Sequence, residues 1–249
     1  MFDLKGKRIL VTGAAGGLGC TLVETLLSSG ADVCGFVRDA SDAGRLRARF
    51  AAEVHLNVVI ADLSDPERVA TAVRDDVGER GPIYGLVNNA AIYPKARVIS
   101  LDAAEMASVL GINAIAAAVL TKACVPGMKE LGRGRILNIA SNTVDTGMEE
   151  LSAYVASKGA LIGLARVWAR ELGPHGITAN VVSPGAFRTD AEKIHADPEK
   201  YSASLIEKQA IKRRGEPREF ADLVAFLLSD MAGFITGQTI RIDGGVVTR

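Results

Sequence analysis

The chain has 249 residues with 29 basic and 29 acidic side chains, a formal net charge of zero, so the basic excess expected of a general nucleic-acid binder is missing. Hydrophobic residues at 48% and charged residues at 23% are ordinary for a globular chain long enough to bury a sizeable core. Three cysteines without Cys-x-x-Cys spacing and three scattered histidines suggest neither a disulfide framework nor a metal site.

The first seven residues lack an apolar leader segment, and no later run approaches the roughly 18 apolar residues of a membrane span. A soluble, cytoplasmic protein without a membrane or nucleic-acid partner is expected. Arg8 to Thr12 reads as a buried strand, and Leu18 to Ser28 as a helix stopped by Gly30. Val33 to Val37 is the next strand, 42–51 a helix, Asn57 to Ala61 a strand, and 65–77 a helix opened by Ser64 and Pro66. Ile83 to Asn88 reads as a fourth strand, followed by a long helical region over 102–130 broken near Pro126, then a strand from Arg135 to Ala140. A helix over 152–172, a strand from Thr178 to Ser183, an irregular helical insertion over 190–210, a helix over 217–229 and a strand from Thr239 to Ile242 complete the chain. The basic runs Arg45 to Arg49 and Lys212-Arg213-Arg214 read as solvated faces, one of which could touch a cofactor phosphate. Cys20 and Cys34 read as small core residues.

Continuous apolar strands separated by roughly 10- to 20-residue helical patterns call for βαβ units and a sheet buried on both faces. The expected fold is α/β: a single doubly wound domain over 1–249, with a mostly parallel sheet covered by helices on both faces.

Directly after the first strand stands Thr12-Gly13-Ala14-Ala15-Gly16-Gly17-Leu18-Gly19, opening a helix. Glycines there allow a tight turn, let backbone amides approach a pyrophosphate, and set that anion at a helix N-terminus. A strand before and a helix after supply the context that a glycine-rich turn alone lacks. The second strand ends Phe36-Val37-Arg38-Asp39. Arg38 suits a 2′-phosphate and favours NADP(H); Asp39 suits free ribose hydroxyls and keeps NAD(H) open. Asp62, before Leu63, is placed to cap the adenine edge, or else begins an ordinary Asp/Ser turn.

On the 152–172 helix, Tyr154 and Lys158 lie one turn apart on one face. A phenol with an intrinsic pKa of about 10 is roughly 4 kcal/mol short of ionisation at neutral pH. A positive charge about 4 Å away is worth roughly 4 kcal/mol at an effective dielectric near 20 and only about 1 kcal/mol in water. A lysine in a cleft could make the tyrosine a working proton donor and acceptor. An exposed one could not, and Tyr-x-x-x-Lys arises by chance in many helices.

Further matches stand in order along the chain: Asn88-Asn89-Ala90-Ala91, Asn113, Ser141, Ser183-Pro184-Gly185 with Thr189, Gly237-Gln238-Thr239 and Asp243-Gly244-Gly245. With the glycine loop and the Ser141, Tyr154, Lys158 set, they resemble the short-chain dehydrogenase/reductase family over essentially the whole chain. The resemblance implies a seven-stranded Rossmann sheet and an NAD(P)-dependent oxidoreductase that interconverts a carbonyl and an alcohol. It implies Tyr154 as general acid/base, Lys158 as the cation that lowers its pKa and holds the nicotinamide ribose, and Ser141 as a donor to the substrate oxygen. Asn113 would hold a water linking Lys158 to solvent. Gly13, Gly16, Gly17, Leu18, Gly19, Arg38, Asp62, Leu63, Asn89 and Ala90 would hold the cofactor, with Pro184, Gly185, Phe187 and Thr189 around the nicotinamide.

Three positions depart from the family pattern. Ala91 stands where glycine is usual, Gly16 where many NADP-using members carry a basic residue, and Val37 where NAD-using members carry aspartate. Ile92-Tyr93-Pro94, Val125-Pro126-Gly127-Met128-Lys129 and Ser141-Asn142-Thr143 look like aryl-alcohol and pyridoxal dehydrogenases of the family. Ile92, Tyr93, Val144, Met148, Phe187 and Ile194 suggest an apolar substrate cavity, though each could equally be packing. The insertion over 187–214 would act as a substrate lid. A homotetramer, or a homodimer, is implied, with the 152–172 helix and last strand at two-fold interfaces. The rival readings are a dinucleotide sensor without turnover and a redox-neutral member such as an epimerase.

Overall fold

The computed structural model describes residues 2–188 and 197–248. Thr189, Ile194 and the first part of the expected lid therefore lie outside the described residues.

Strands β1 (Arg8–Thr12), β2 (Asp32–Val37), β3 (Leu56–Ile60), β4 (Gly85–Asn88), β5 (Gly134–Ile139), β6 (Ile177–Pro184) and β7 (Thr239–Ile242) form one seven-stranded sheet among the described residues. Its order is β3-β2-β1-β4-β5-β6-β7 and every pairing is parallel. The expected doubly wound architecture is therefore present. Helices α1 (Gly17–Ser28), α2 (Ala40–Arg49), α3 (Pro66–Arg80), α4 (Ala103–Leu110), α5 (Ala116–Glu130), α6 (Thr143–Thr146), α7 (Ser152–Leu172), α8 (Pro198–Glu207) and α9 (Pro217–Leu228) connect the strands. The winding direction reverses between β1 and β4, which opens a crevice at their carboxyl ends.

Alternation along β1 shows why both faces are apolar. Ile9 and Val11 enter one core with Leu22, Leu26, Phe220 and Leu228, beneath α1 and α9. Leu10 points the other way, joining Phe36, Val69, Val73, Leu120 and Ile136 beneath α3 and α5. Cys34 and Cys124 are buried in this second core, as small apolar residues would be, and burial pushes the Cys124 thiol up to about 12. Across it lies an ion pair that sequence pattern gave no sign of. Asp76 on α3 accepts from Arg8 Nη2 at 2.7 Å and from Asn57 Nδ2 at 2.8 Å, pinning the helix to β1 and β3. Losing either charge of such a buried pair costs about 3–5 kcal/mol, because the remaining charge is left unpaired.

The long helical region differs from expectation. Pro126 sits inside α5 without ending it, and the irregularity falls earlier, in a π-helical turn at Gly111–Ile115 between α4 and α5. The run Ala103–Glu130 is also long and apolar enough to cross a membrane by length and composition, correcting the expectation that no run comes near that size. Here one stripe of it is buried: α5 packs on α3 and β5, and the π turn packs on α7.

Arg214 is a second correction. Grouped with solvated basic residues by sequence, it is 2% exposed. Its Nε donates to the Ala186 carbonyl at 3.1 Å and its Nη2 to the Phe187 carbonyl at 3.0 Å. Phe187 also pairs with Gly215 in a parallel bridge, so the two ends of the 187–214 segment are fastened together.

Candidate active site

The ends of β1 and β4 are knitted by side chains. Thr12 Oγ1 accepts from the backbone amides of Asn89 at 2.9 Å and Ala90 at 3.0 Å, while Asn89 Nδ2 donates to the Thr12 carbonyl at 2.9 Å. One strand further, Asn88 Nδ2 donates to Asn138 Oδ1 at 2.9 Å, and Asn138 Nδ2 to the Leu161 carbonyl at 3.1 Å, which locks α7 against the strand ends. Thr12 and Asn138 support the site without having been singled out as site residues; their burial, invisible in sequence, is what marks them.

The glycine loop is as tight as its composition requires. Gly13 has φ +64°, and a Cβ on Gly19 would lie 2.1 Å from the Gly13 carbonyl oxygen. Gly16 caps α1 with no side-chain hydrogen bond, so the helix opens without a side-chain acceptor for its first amides. That arrangement fits a pyrophosphate.

From this loop a cleft of about 450 Å³ extends in both directions. Gly13, Gly16, Gly17, Leu18, Gly19, Arg38, Asp62, Leu63, Asn89, Ala90, Tyr154, Lys158 and Pro184 all line it. Four expected residues among those described do not border it: Gly185, Phe187, Asn113 and Ser141. Gly185 packs beneath, where a Cβ would meet the Asp243 backbone at 2.7 Å. Phe187 turns its ring into the core, edge-on to Phe220 with ring centroids 6.1 Å apart. Asn113 stands behind the wall, spending its side chain on neighbours: it accepts from Ile92 N and donates to Ile92 O, both at 2.9 Å, and donates to Ser157 Oγ at 3.0 Å. Through these bonds Asn113 braces the segment after β4. Thr189 lies outside the described residues.

Beside the inner end, Ser141 is 8% exposed and close enough to Tyr154 to favour its ionised form, and its Oγ accepts from Thr143 Oγ1 at 2.9 Å. Lys158 is 2% exposed; its Nζ donates to the Ile139 carbonyl at 2.6 Å and lies 5.5 Å from the Tyr154 ring centroid. Burial pushes the lysine down to about 7. Burial also raises Tyr154 and is the largest influence on its hydroxyl, with Ser141 opposing it. Tyr93 leans edge-on against Tyr154, with centroids 5.9 Å apart and an interplanar angle of 71°.

At the outer end, Asp39 caps α2, accepting from the Asp42 amide at 2.9 Å, and pairs with Arg38 Nε at 3.0 Å. Asp62 accepts from the Ser64 amide at 2.9 Å, the expected turn, while still facing the cleft. A hydroxyl pair beside a lysine, at one end of a cleft whose middle suits a pyrophosphate, can exchange a proton with an oxygen placed there.

Residues 13–247 match the family model described as enoyl-(acyl carrier protein) reductase. The chain is 33% identical over 244 residues to 3-oxoacyl-(acyl-carrier-protein) reductase FabG of Vibrio cholerae, covering 98% of each. The chain belongs to the short-chain dehydrogenase/reductase family. Gluconate 5-dehydrogenase of Gluconobacter oxydans is a further relative of this dehydrogenase/reductase, 32% identical over 248 residues, with 99% of this chain and 96% of that one covered. A crystal structure of a candidate gluconate dehydrogenase from Agrobacterium tumefaciens superposes with a TM-score of 0.94 at 29% identity, covering 100% of this chain and 98% of that one. Like these relatives, it is an NAD(P)-dependent oxidoreductase that interconverts a small molecule's carbonyl and alcohol forms.

Proposed function

We propose that this dehydrogenase/reductase uses NADP(H) to interconvert a carbonyl and an alcohol that carry an apolar or aromatic group beside the reacting oxygen. The reading rests above all on one continuous cleft with Arg38 at its outer end and Tyr154 and Lys158 at its inner end, Ser141 standing next to Tyr154. When bound, the nicotinamide supplies or accepts the hydride. Tyr154 gives its hydroxyl proton to the carbonyl oxygen in reduction and takes it back in oxidation. Ser141 donates a second hydrogen bond to the same oxygen, stabilising the charge that develops there. Lys158, lying against Tyr154, recharges it by accepting or releasing a proton, for which a pKa near 7 suits it at neutral pH. Asn113 acts by position, holding Ile92 and, through Ser157, the first turn of α7.

The substrate preference follows from Tyr93. Half exposed and set edge-on to Tyr154, it offers an apolar face at the point where a substrate would approach the hydroxyl. NADPH oxidation should be faster with aryl aldehydes and ketones than with a 3-oxoacyl thioester or 5-ketogluconate. Tyr93→Ala should raise KM for the aryl substrates about 10-fold, the scale of one lost aromatic contact, and leave NADPH affinity unchanged. An unaltered KM rejects the preference.

The same reading places the enzyme in the cytoplasm as a homotetramer, or a homodimer, without membrane or nucleic-acid partners. Val167 on α7 is 52% exposed, and Phe234 and Met231, close in sequence to the edge strand β7, are 103% and 75% exposed. These are apolar side chains of the kind that interfaces cover. Light scattering at micromolar concentration should give a dimer or tetramer mass; a monomer mass rejects the assembly.

A further inference from the structure

The outer end of the cleft lacks the basic side chain that Gly16 would carry in many NADP-using relatives, yet the structure offers a replacement from a different element. Arg45 lies on α2, and its guanidinium is paired with Asp42 at 2.5 Å. Both residues line the cofactor cleft beside Arg38. Arg45 also lines a second hollow of about 590 Å³ that shares Ala15, Gly16 and Gly17 with the cleft. Where the two cavities meet, the glycine loop presents backbone alone at Gly16, and a Cβ added there would meet nothing closer than the Gly13 carbonyl oxygen at 3.3 Å. Arg45 thus borders the space on both sides of the position that a basic residue at 16 would fill.

Charge at this end is balanced in a particular way. Arg38 pairs with Asp39 at 3.0 Å, and Arg45 with Asp42. Asp39 is held by a second interaction, as the α2 cap, whereas among the described residues Asp42 has Arg45 as its side-chain partner. A guanidinium presents a planar fork that matches phosphate as well as carboxylate, and a phosphate dianion outcompetes a single carboxylate for it. With Arg45 65% exposed, the exchange needs no buried charge to move.

We infer that Arg45 is the second cation for the cofactor's 2′-phosphate, reaching over the bare backbone at Gly16 to act with Arg38, and that Asp42 is the counter-ion it leaves. The inference rests on the NADP(H) preference proposed above. It assigns discrimination between cofactors to a helix-α2 side chain and makes Asp42 an opponent of NADP(H) binding.

Calorimetric titration of the full chain with NADPH, NADH, 2′,5′-ADP and 5′-ADP tests this without turnover. Arg45→Ala should weaken NADPH and 2′,5′-ADP about 10-fold, the scale of one charge-assisted contact at an exposed site, while NADH and 5′-ADP change less than about twofold. Asp42→Asn should strengthen 2′,5′-ADP and leave 5′-ADP unchanged. The Arg45→Ala difference should shrink as salt is raised, since an exposed charge contact is screened. If Arg45→Ala keeps the wild-type ratio of NADPH to NADH affinity while Arg38→Ala lowers it, the role of Arg45 is overturned and the NADP(H) preference stands. If the wild-type chain binds NADH more tightly than NADPH, the preference and the role of Arg45 both fall.

Discussion

Tyr154→Phe should lower turnover about 10³-fold, within the span that positioned proton transfer contributes, while cofactor affinity and thermal stability stay close to wild type. The phenylalanine ring keeps the edge contact to Tyr93 and the face beneath Lys158 Nζ, so packing in the cleft is retained. What leaves is the hydroxyl, whose proton no neighbour can replace. Ser141 is too weakly acidic, and in the proposed relay Lys158 passes its proton to the substrate oxygen through the Tyr154 hydroxyl. Single-turnover kinetics with cofactor titration in parallel would separate chemistry from binding. Activity retained in the variant would refute Tyr154 as the proton donor.

The second large effect concerns stability against pH. An unfolded lysine titrates near 10.5, whereas burial brings Lys158 down to about 7 in the folded, cofactor-free protein. Between these values the unfolded chain binds the extra proton, so stability rises with pH, with a limiting slope of about 1.4 kcal/mol per pH unit. Below pH about 7 both states are charged and the contribution levels off at its least favourable value. Lys158→Met, similar in length and uncharged, should remove the slope, stabilise the cofactor-free protein at neutral pH and abolish turnover. Denaturant melts of both proteins from pH 7 to 10 would measure this; parallel curves would show that Lys158 is not the group responsible. The wild-type residue therefore stores a penalty in the place where function needs a titrating amine.

Much of this was legible in the sequence because it depends on local pattern. The β1, β5 and β6 runs are apolar throughout, α7 has one helical period, and the glycine loop has its strand and helix on either side. Tyr154 and Lys158 share a cleft because one helix carries both, a relation that spacing alone encodes. What sequence did not reveal depends on which distant segment lies alongside. Asp76 is one of two adjacent acids on α3, and nothing local sets it apart from Asp75 until Arg8 and Asn57 are brought to it. Arg214 reads as solvated until the Ala186 and Phe187 carbonyls close over it. Phe187 follows the Pro184-Gly185 pair by few residues, and only the turn of the chain there shows its ring against Phe220. The π turn around Asn113 left no trace in hydrophobic periodicity, since a single inserted residue in a uniformly apolar helix moves no polar side chain onto the wrong face.

Arg214 also bears on how such a protein can change over generations. One buried guanidinium holds the carbonyls on the departing side, and its backbone neighbour Gly215 bridges Phe187, so the departing and returning stretches of chain are fastened to each other at the frame. The arginine is therefore a position in this region where drift should be least tolerated, because losing it frees both stretches at once.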